Sequence, residues 1–286
     1  MAVYKRNYQG YDGALTPAWR RFLVPARYGY ARLAQSRFLV SFLALCMFYP
    51  VLCAMYIYAS HNPTFVALLR IPGGQLPPVD GRFFYFFSVL QGTLSYLLAA
   101  FVSPGLITSD LANGALPLYF SRPFSRTQYL AGKAALMLGV LSLLTWIPGL
   151  VLFVIASTLS GWTWMQANLW MAAGLAAGLF VWIVMATLIG FALSALVKWR
   201  VAAGALVVGV LFAGAGFGAA INAVVRTSAG SAVDLSFVMR AVWSDLLRYD
   251  AGIYLPLGQA WLVLAAVAVV CVVILLRRIR PFEVIK

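Results

Sequence analysis

Six continuous apolar stretches, each of roughly twenty residues or more and none containing Asp or Glu, constrain this chain more than any other feature. They fall at about 37–59, 83–106, 129–158, 168–197, 201–223 and 258–277. A helix needs about 20 apolar residues to cross a hydrocarbon layer ~30 Å thick, so each stretch predicts a membrane-crossing helix. Barrel strands would alternate apolar and polar residues; these runs do not. Of the 286 residues, 63% are apolar and 10% charged. Too little polar sequence remains to cover a water-soluble core, which excludes a soluble enzyme, a disordered chain and a fibrous protein. The expected fold class is an all-α integral membrane protein of six transmembrane helices, forming a single domain over 1–286.

The charge balance orients these spans. The chain carries 21 Lys and Arg against 7 Asp and Glu, for a net charge of +14. With the N-terminus in the cytoplasm, Arg70, Arg82, Arg226, Arg240 and Arg248 fall outside and the other sixteen basic residues inside. The positive-inside rule therefore places both termini in the cytoplasm. The excess charge reads as contact with an anionic lipid surface, with no role for nucleic acid.

A basic leader, 1–36, precedes the first span, which no cleavage site follows, so that span is expected to remain as an anchor. After Pro17, Ala18 to Val24 breaks at Pro25 and resumes as Ala26 to Leu33. Arg, Trp, Phe and Tyr mixed with Leu suit a helix in the inner headgroup region; the alternative is a disordered basic arm. On the outer side, about 60–82 is rich in Pro and Gly, and 224–257 forms a longer external segment. Within the latter, Val238 to Arg248 is amphipathic at helical period, as for a helix resting on the membrane or dipping into it. Pro50 and Pro148 predict kinks. Gly174 with Gly178, and Gly214 with Gly218, lie four apart and predict close helix packing.

Several function classes have no residues to support them. Ion-coupled carriers keep ionisable groups within the membrane, and the middles of these spans have none. There is no H-E-x-x-H, intramembrane aspartate pair or nucleophilic Ser with a His partner, so the chain is not expected to be an enzyme. Nor is there a phosphate-binding G-x-x-x-x-G-K-[ST] loop, and Ile71 to Gln75 reads as a turn. Cys46, Cys53 and Cys271 lie within apolar runs and lack ligand spacing, and His61 reads as an interfacial polar residue. No metal or cofactor is expected on this chain.

The connection between the second and third stretches is the most informative. It contains Ser103-Pro104-Gly105, then Asp110-Leu111-Ala112-Asn113-Gly114-Ala115-Leu116-Pro117-Leu118-Tyr119-Phe120. Ser121-Arg122-Pro123-Phe124-Ser125-Arg126 follows, and Tyr129-Leu130-Ala131-Gly132-Lys133 enters the next span. This pattern resembles the type-2 ABC transporter permease family. Asp110 stands where members carry an acid, usually Glu. Asn113 to Leu116 stand at their Gly-Thr-Leu region, Arg122, Pro123, Ser125 and Arg126 at their Pro-x-Ser-Arg element, and Gly132-Lys133 at the span entry. The six-span layout, the basic leader and the long outer segment agree with it.

The resemblance implies the transmembrane subunit of an ATP-driven transporter, by family habit an exporter, in a bacterial cytoplasmic membrane. Residues 107–128 would include a short coupling helix seated in a groove of a cytoplasmic ABC ATPase. Two ATPase copies, carrying ATP and magnesium, would serve a pair of permeases, with a homodimer favoured; an external accessory protein is a further candidate partner. Leu111, Leu116, Leu118, Tyr119 and Phe120 are apolar enough to be groove anchors. Asp110 is expected to pair with Arg122 or Arg126 and stiffen the hairpin, with an ordinary basic interfacial loop as the alternative. Lys198, Trp199 and Arg200 form the other inner connection, either a second ATPase contact or a basic turn. Span two would lie near the substrate path, making Phe84, Phe87, Gln91, Leu94, Ser95 and Leu98 candidate path residues. The same residues also read as an aromatic belt with interhelical hydrogen bonds. The rival functions are a membrane scaffold or assembly protein without transport, and an ion-coupled carrier.

Overall fold

A computed structural model describes residues 17, 20–62, 64, 76–121, 125–226 and 229–279; of Phe120 it describes the backbone only. Among these residues there is no strand. The helices are α1 (Leu23–Ala34), α2 (Arg37–Ser60), α3 (Gly81–Leu106), α4 (Thr108–Ala112), α5 (Leu116–Phe120) and α6 (Arg126–Leu144). They continue with α7 (Trp146–Ser160), α8 (Trp162–Leu196), α9 (Arg200–Val225), α10 (Leu235–Leu246) and α11 (Leu257–Arg278); a 3-10 turn, Ala229–Val233, precedes α10. Six segments are long and apolar enough to span a membrane: α2, α3 with α4, α6 with α7, α8, α9 and α11. This marks a multi-pass membrane protein, and the six segments match the six apolar stretches.

The spans differ in how far they bury themselves. The most apolar window of α8 is 67% buried and that of α3 is 61%, against 11% for α9 and 22% for α2 and α11. Thus α3 and α8 form the centre, and α2, α9 and α11 turn apolar side chains outward, including Leu45, Phe212 and Leu262. A helix of 35 residues extends ~50 Å, so α8 exceeds the hydrocarbon thickness and must tilt or emerge from it.

Proline and glycine decide where the spans break. The third span divides at Thr145 (φ −109°, ψ −95°), because Pro148 has no N–H to offer the Leu144 carbonyl four residues back. The Thr145 hydroxyl instead donates to Leu141 O at 2.8 Å. Helix α2 passes through Pro50, which leaves Cys46 O without its usual donor. Spans three and four are joined by Gly161 alone, at φ 95°, a conformation that strains any residue with a Cβ. Span four therefore begins several residues earlier than expected.

The expected break in the leader at Pro25 does not occur. Pro25 occupies the first turn of α1, where an N–H would have no helical partner, so the helix proceeds to Ala34. Helix α1 lies against α6: the Phe22 carbonyl sits over Gly132, and the Tyr30 hydroxyl donates to Ala135 O at 3.1 Å. Residues 1–16 and Trp19, part of the same leader, lie outside the described residues, as do Ile71 to Gln75.

The amphipathic segment expected on the outer side contains α10, which is drawn into the bundle. Asp234 caps it, its Oδ1 accepting from Ser236 N at 2.9 Å and Phe237 N at 3.2 Å. Leu235, Val238, Met239, Ala241, Val242 and Trp243 are buried. Trp243 lies between Gly92 of α3 and Gly178 of α8, where added Cβ atoms would come within 2.6 and 2.7 Å of its ring. An added Cβ on Gly174 would meet the Leu246 carbonyl at 2.5 Å. The Gly174–Gly178 pair is thus a packing site, but the element it receives is α10, not another span. Gly214 and Gly218 likewise receive Val233 O and Gly230 O.

Replacing Gly174 by Val is expected to push α10 off α8 and cost about 1–3 kcal/mol by overpacking. Gly258, whose Cβ would meet nothing within 4 Å, serves as the control. Thermal unfolding in detergent should show a lowered midpoint for Gly174→Val and none for Gly258→Ala.

Candidate functional site

The connection between spans two and three folds into an elbow of two short helices. Helix α4 ends in a left-handed glycine turn: Gly114 has φ 61°, Gly114 N donates to Leu111 O at 3.3 Å and Ala115 N to Asp110 O at 2.9 Å. This pairing closes the last carbonyls of α4 and reverses the chain at a residue without a Cβ. Helix α5 then starts at Leu116, with Pro117 in its first turn, where a missing N–H costs nothing. Ser125 starts α6 with a reciprocal cap: Gln128 N donates to Ser125 Oγ at 3.2 Å and Ser125 N to Gln128 Oε1 at 3.0 Å.

Three attachments fix the elbow to the bundle. First, the Lys133 ammonium lies 2.9 Å from Asp110 Oδ2, with the two side chains 11% and 18% exposed. The Tyr129 hydroxyl donates to the same oxygen at 2.9 Å, and the Lys133 nitrogen lies 5.6 Å from the centre of the Tyr129 ring. Second, the Thr108 hydroxyl donates to Ser194 O at 2.8 Å, one of the last carbonyls of α8 that no helical N–H reaches. Third, the buried Leu116 packs into the core, and Leu111 and Tyr119 pack against it. The rings of Tyr119 and Tyr129 are 5.3 Å apart. Partial burial pushes the Tyr119 hydroxyl's pKa up, the Asp110 carboxylate adds to the rise, and the Arg32 guanidinium of α1 partly offsets it.

Of the two expected partners of Asp110, Arg126 is corrected, while Arg122 lies outside the described residues. Asp110 pairs with Lys133 and Tyr129, not with Arg126, which is exposed. The reason is geometric: with Tyr129 and Lys133 four apart, both face Asp110 from one side of α6, whereas Arg126 begins the helix. Arg122 and Pro123 lie outside the described residues, as does the side chain of Phe120. Asn113 and Gly114 are exposed at the tip. Of the expected groove anchors whose side chains are described, Leu116 faces the chain's own core, and Leu118 projects at 74% exposure.

The connection between α8 and α9 lies beside the elbow. The Arg200 guanidinium rests on Gly105, where an added Cβ would come within 3.1 Å, while Lys198 is exposed and Trp199 is 79% exposed.

The six candidate path residues occupy the inward faces of α3. Phe84, Phe87, Gln91, Ser95 and Leu98 are fully buried and Leu94 half-buried. Phe87 stacks on Tyr49, and Ser95 Oγ donates to Gly92 O at 2.7 Å. The Gln91 amide nitrogen donates to Leu144 O at 2.6 Å and to Cys46 O at 3.4 Å. Within this chain they are packed against its own helices and do not line an open channel. The face that α3 turns outward carries Phe86, Leu90, Thr93 and Phe101 instead.

At the opposite end, a cavity of about 500 Å³ lies between the end of α10 and the run into α11, lined by Ser244, Asp245, Arg248, Tyr249, Asp250 and Leu255 among others. Arg248 adopts φ 48° and places its guanidinium 4.5 Å from the centre of the Trp170 ring. No sequence signal marks this cavity, because it depends on how α10 folds back. Among the described residues, no group of three His, Cys, Asp or Glu side chains is placed to hold a metal ion. Compared with known proteins, the sequence matches no family model and no curated protein.

Removing one member of a largely buried ion pair leaves the other charge uncompensated, at a cost of about 3–5 kcal/mol, whereas removing both is far milder. Asp110→Asn and Lys133→Met should therefore each speed proteolytic cleavage of the elbow in the purified protein. The double variant should be cleaved more slowly than either single variant.

Proposed function

We propose that this chain is the membrane-spanning subunit of an ATP-driven transporter of the type-2 ABC permease kind, working as a pair of permeases with two separate ATPase subunits. In this reading the basic end faces the cytoplasm of a bacterium, both termini lie there, and the transporter is an exporter. The observation that carries it is the anchored elbow. Its α4–α5 unit is tied to α3 by chain continuity, to α6 through Asp110 and Lys133, and to α8 through Thr108. A lateral push on α5 would pass into three spans together instead of being absorbed by a slack loop. Leu118, apolar and projecting from a rigid base, suits an anchor for a partner's groove; full burial of such a side chain contributes about 1.5–3 kcal/mol.

The chain's own part in the cycle is mechanical. ATP and magnesium belong to the partner, and this chain changes state only to the extent that the partner's contacts differ between the two states. The absence of ionisable residues from the middles of the spans supports an external energy source. The transport path would run between permease copies along the outward face of α3, at Leu90 and Thr93, rather than through the filled interior at Phe84, Phe87 and Gln91.

Isolation of the chain from its native membrane should recover an ATP-hydrolysing subunit in stoichiometric amount. Leu118→Asp, which perturbs an exposed position, should reduce recovery of that subunit at least tenfold while leaving the unfolding midpoint unchanged. Isolation of the wild-type chain in folded form without any nucleotide-hydrolysing companion would contradict the proposal.

A further inference from the structure

Two of the long-range hydrogen bonds in the middle of the spans end on carbonyls that proline has deprived of a donor. Pro50 cannot donate to Cys46 O, and Pro148 cannot donate to Leu144 O. The side-chain amide of one residue, Gln91 in α3, donates to both, at 3.4 Å and 2.6 Å. Hydrocarbon offers these carbonyls no water, so they must be met from within the protein. An amide nitrogen has two hydrogens, one for each carbonyl; Glu, Leu or Met at this position could not supply both. The two neighbouring carbonyls also fix the amide's orientation, and Gln91 Oε1 is left buried without a donor. A side chain held with an unmet acceptor is placed there by its donors.

We propose that the Gln91 amide is a pivot shared by two proline bends, about which α2 hinges relative to α3 and the α6–α7 break. The unequal bonds indicate which side moves: the short one fastens Gln91 to the break after Leu144, and the long one holds α2 loosely. Helix α2 has only 22% of its apolar window buried, and besides the Gln91 bond it meets α3 through ring contacts of Phe38 and Phe42 with Phe101, Tyr49 with Phe87 and Tyr56 with Phe83. Because neither bond involves the elbow, the pivot stands or falls apart from the transport reading.

The test is a double-mutant cycle on the full chain in lipid nanodiscs, read by amide hydrogen exchange over residues 46–54 of α2. Pro50→Ala with Pro148→Ala restores the two backbone donors and should slow exchange there at least threefold. Gln91→Leu in the native background should accelerate it at least threefold, and in the Pro50→Ala/Pro148→Ala background by less than half that factor, since the carbonyls are then met without the amide. If Gln91→Leu alone does not yield folded protein, recovery of the triple variant supports the pivot. Equal acceleration in both backgrounds, no effect of either change, or loss of the triple variant while Pro50→Ala/Pro148→Ala folds would overturn it.

Discussion

Prolines inside the spans remove backbone donors that hydrocarbon cannot replace, and one side chain of the bundle answers two of them. Pro50 and Pro148 expose Cys46 O and Leu144 O, and Gln91 meets both. Pro104 leaves Ala100 O without its helical donor, and α9 packs tightly there, since an added Cβ on Gly204 would lie 2.9 Å from that oxygen. An interhelical hydrogen bond in a membrane contributes on average only about 0.6 kcal/mol. An unmet carbonyl in hydrocarbon costs several times more. These contacts therefore matter less for added stability than for deciding which helices can be neighbours at all. They place α3 at the centre, touching α2, the α6–α7 break and α9.

Small residues decide the rest. Gly92, Gly174 and Gly178 open a cleft between α3 and α8, and α10 fills it with Trp243. The Trp182 indole beside it donates to Gly92 O at 2.7 Å. At the other end, the Gly132 backbone admits the leader helix α1, so that Arg32 comes close enough to influence Tyr119 of the elbow. Lipid-exposed helices gain nothing hydrophobic from associating with one another, so backbone approach and dispersion contacts are the forces left to order them.

The sequence exposes the spans plainly, because about twenty apolar residues in a row leave no other structure open. It also marks the separate ingredients of the interior: Pro50 and Pro148 as bends, Gln91 as either a path residue or an interhelical hydrogen-bonding group, and paired glycines as contact points. It does not reveal that the Gln91 amide serves both prolines, because that pairing depends on the relative depth of three helices. The elbow follows the same division. Gly114 signals the end of α4, and Asp110 signals an ion pair, but its partner is set by height along α6: Arg126, Tyr129 and Lys133 share one face, and it is the two residues further along the helix that reach Asp110 while Arg126, about two turns before Lys133, stays exposed. Pro25 misled for a local reason: a proline in the first turn of a helix reads in sequence like a break. The cavity beside α10 is invisible in sequence because only the fold-back of α10 creates it.

Under the proposed reading, a chain with no ionisable groups in the middles of its spans and a braced elbow would draw its driving force from a partner, and Leu118 is the side chain through which that contact would be made. The most direct measurement places a photo-crosslinking amino acid at position 118 in living cells and identifies the adducts by mass spectrometry. The account predicts a single dominant adduct with an ATP-binding subunit, formed at the subunit's nucleotide-dependent groove. Adducts with membrane lipids alone, or with a protein that binds no nucleotide, would contradict it.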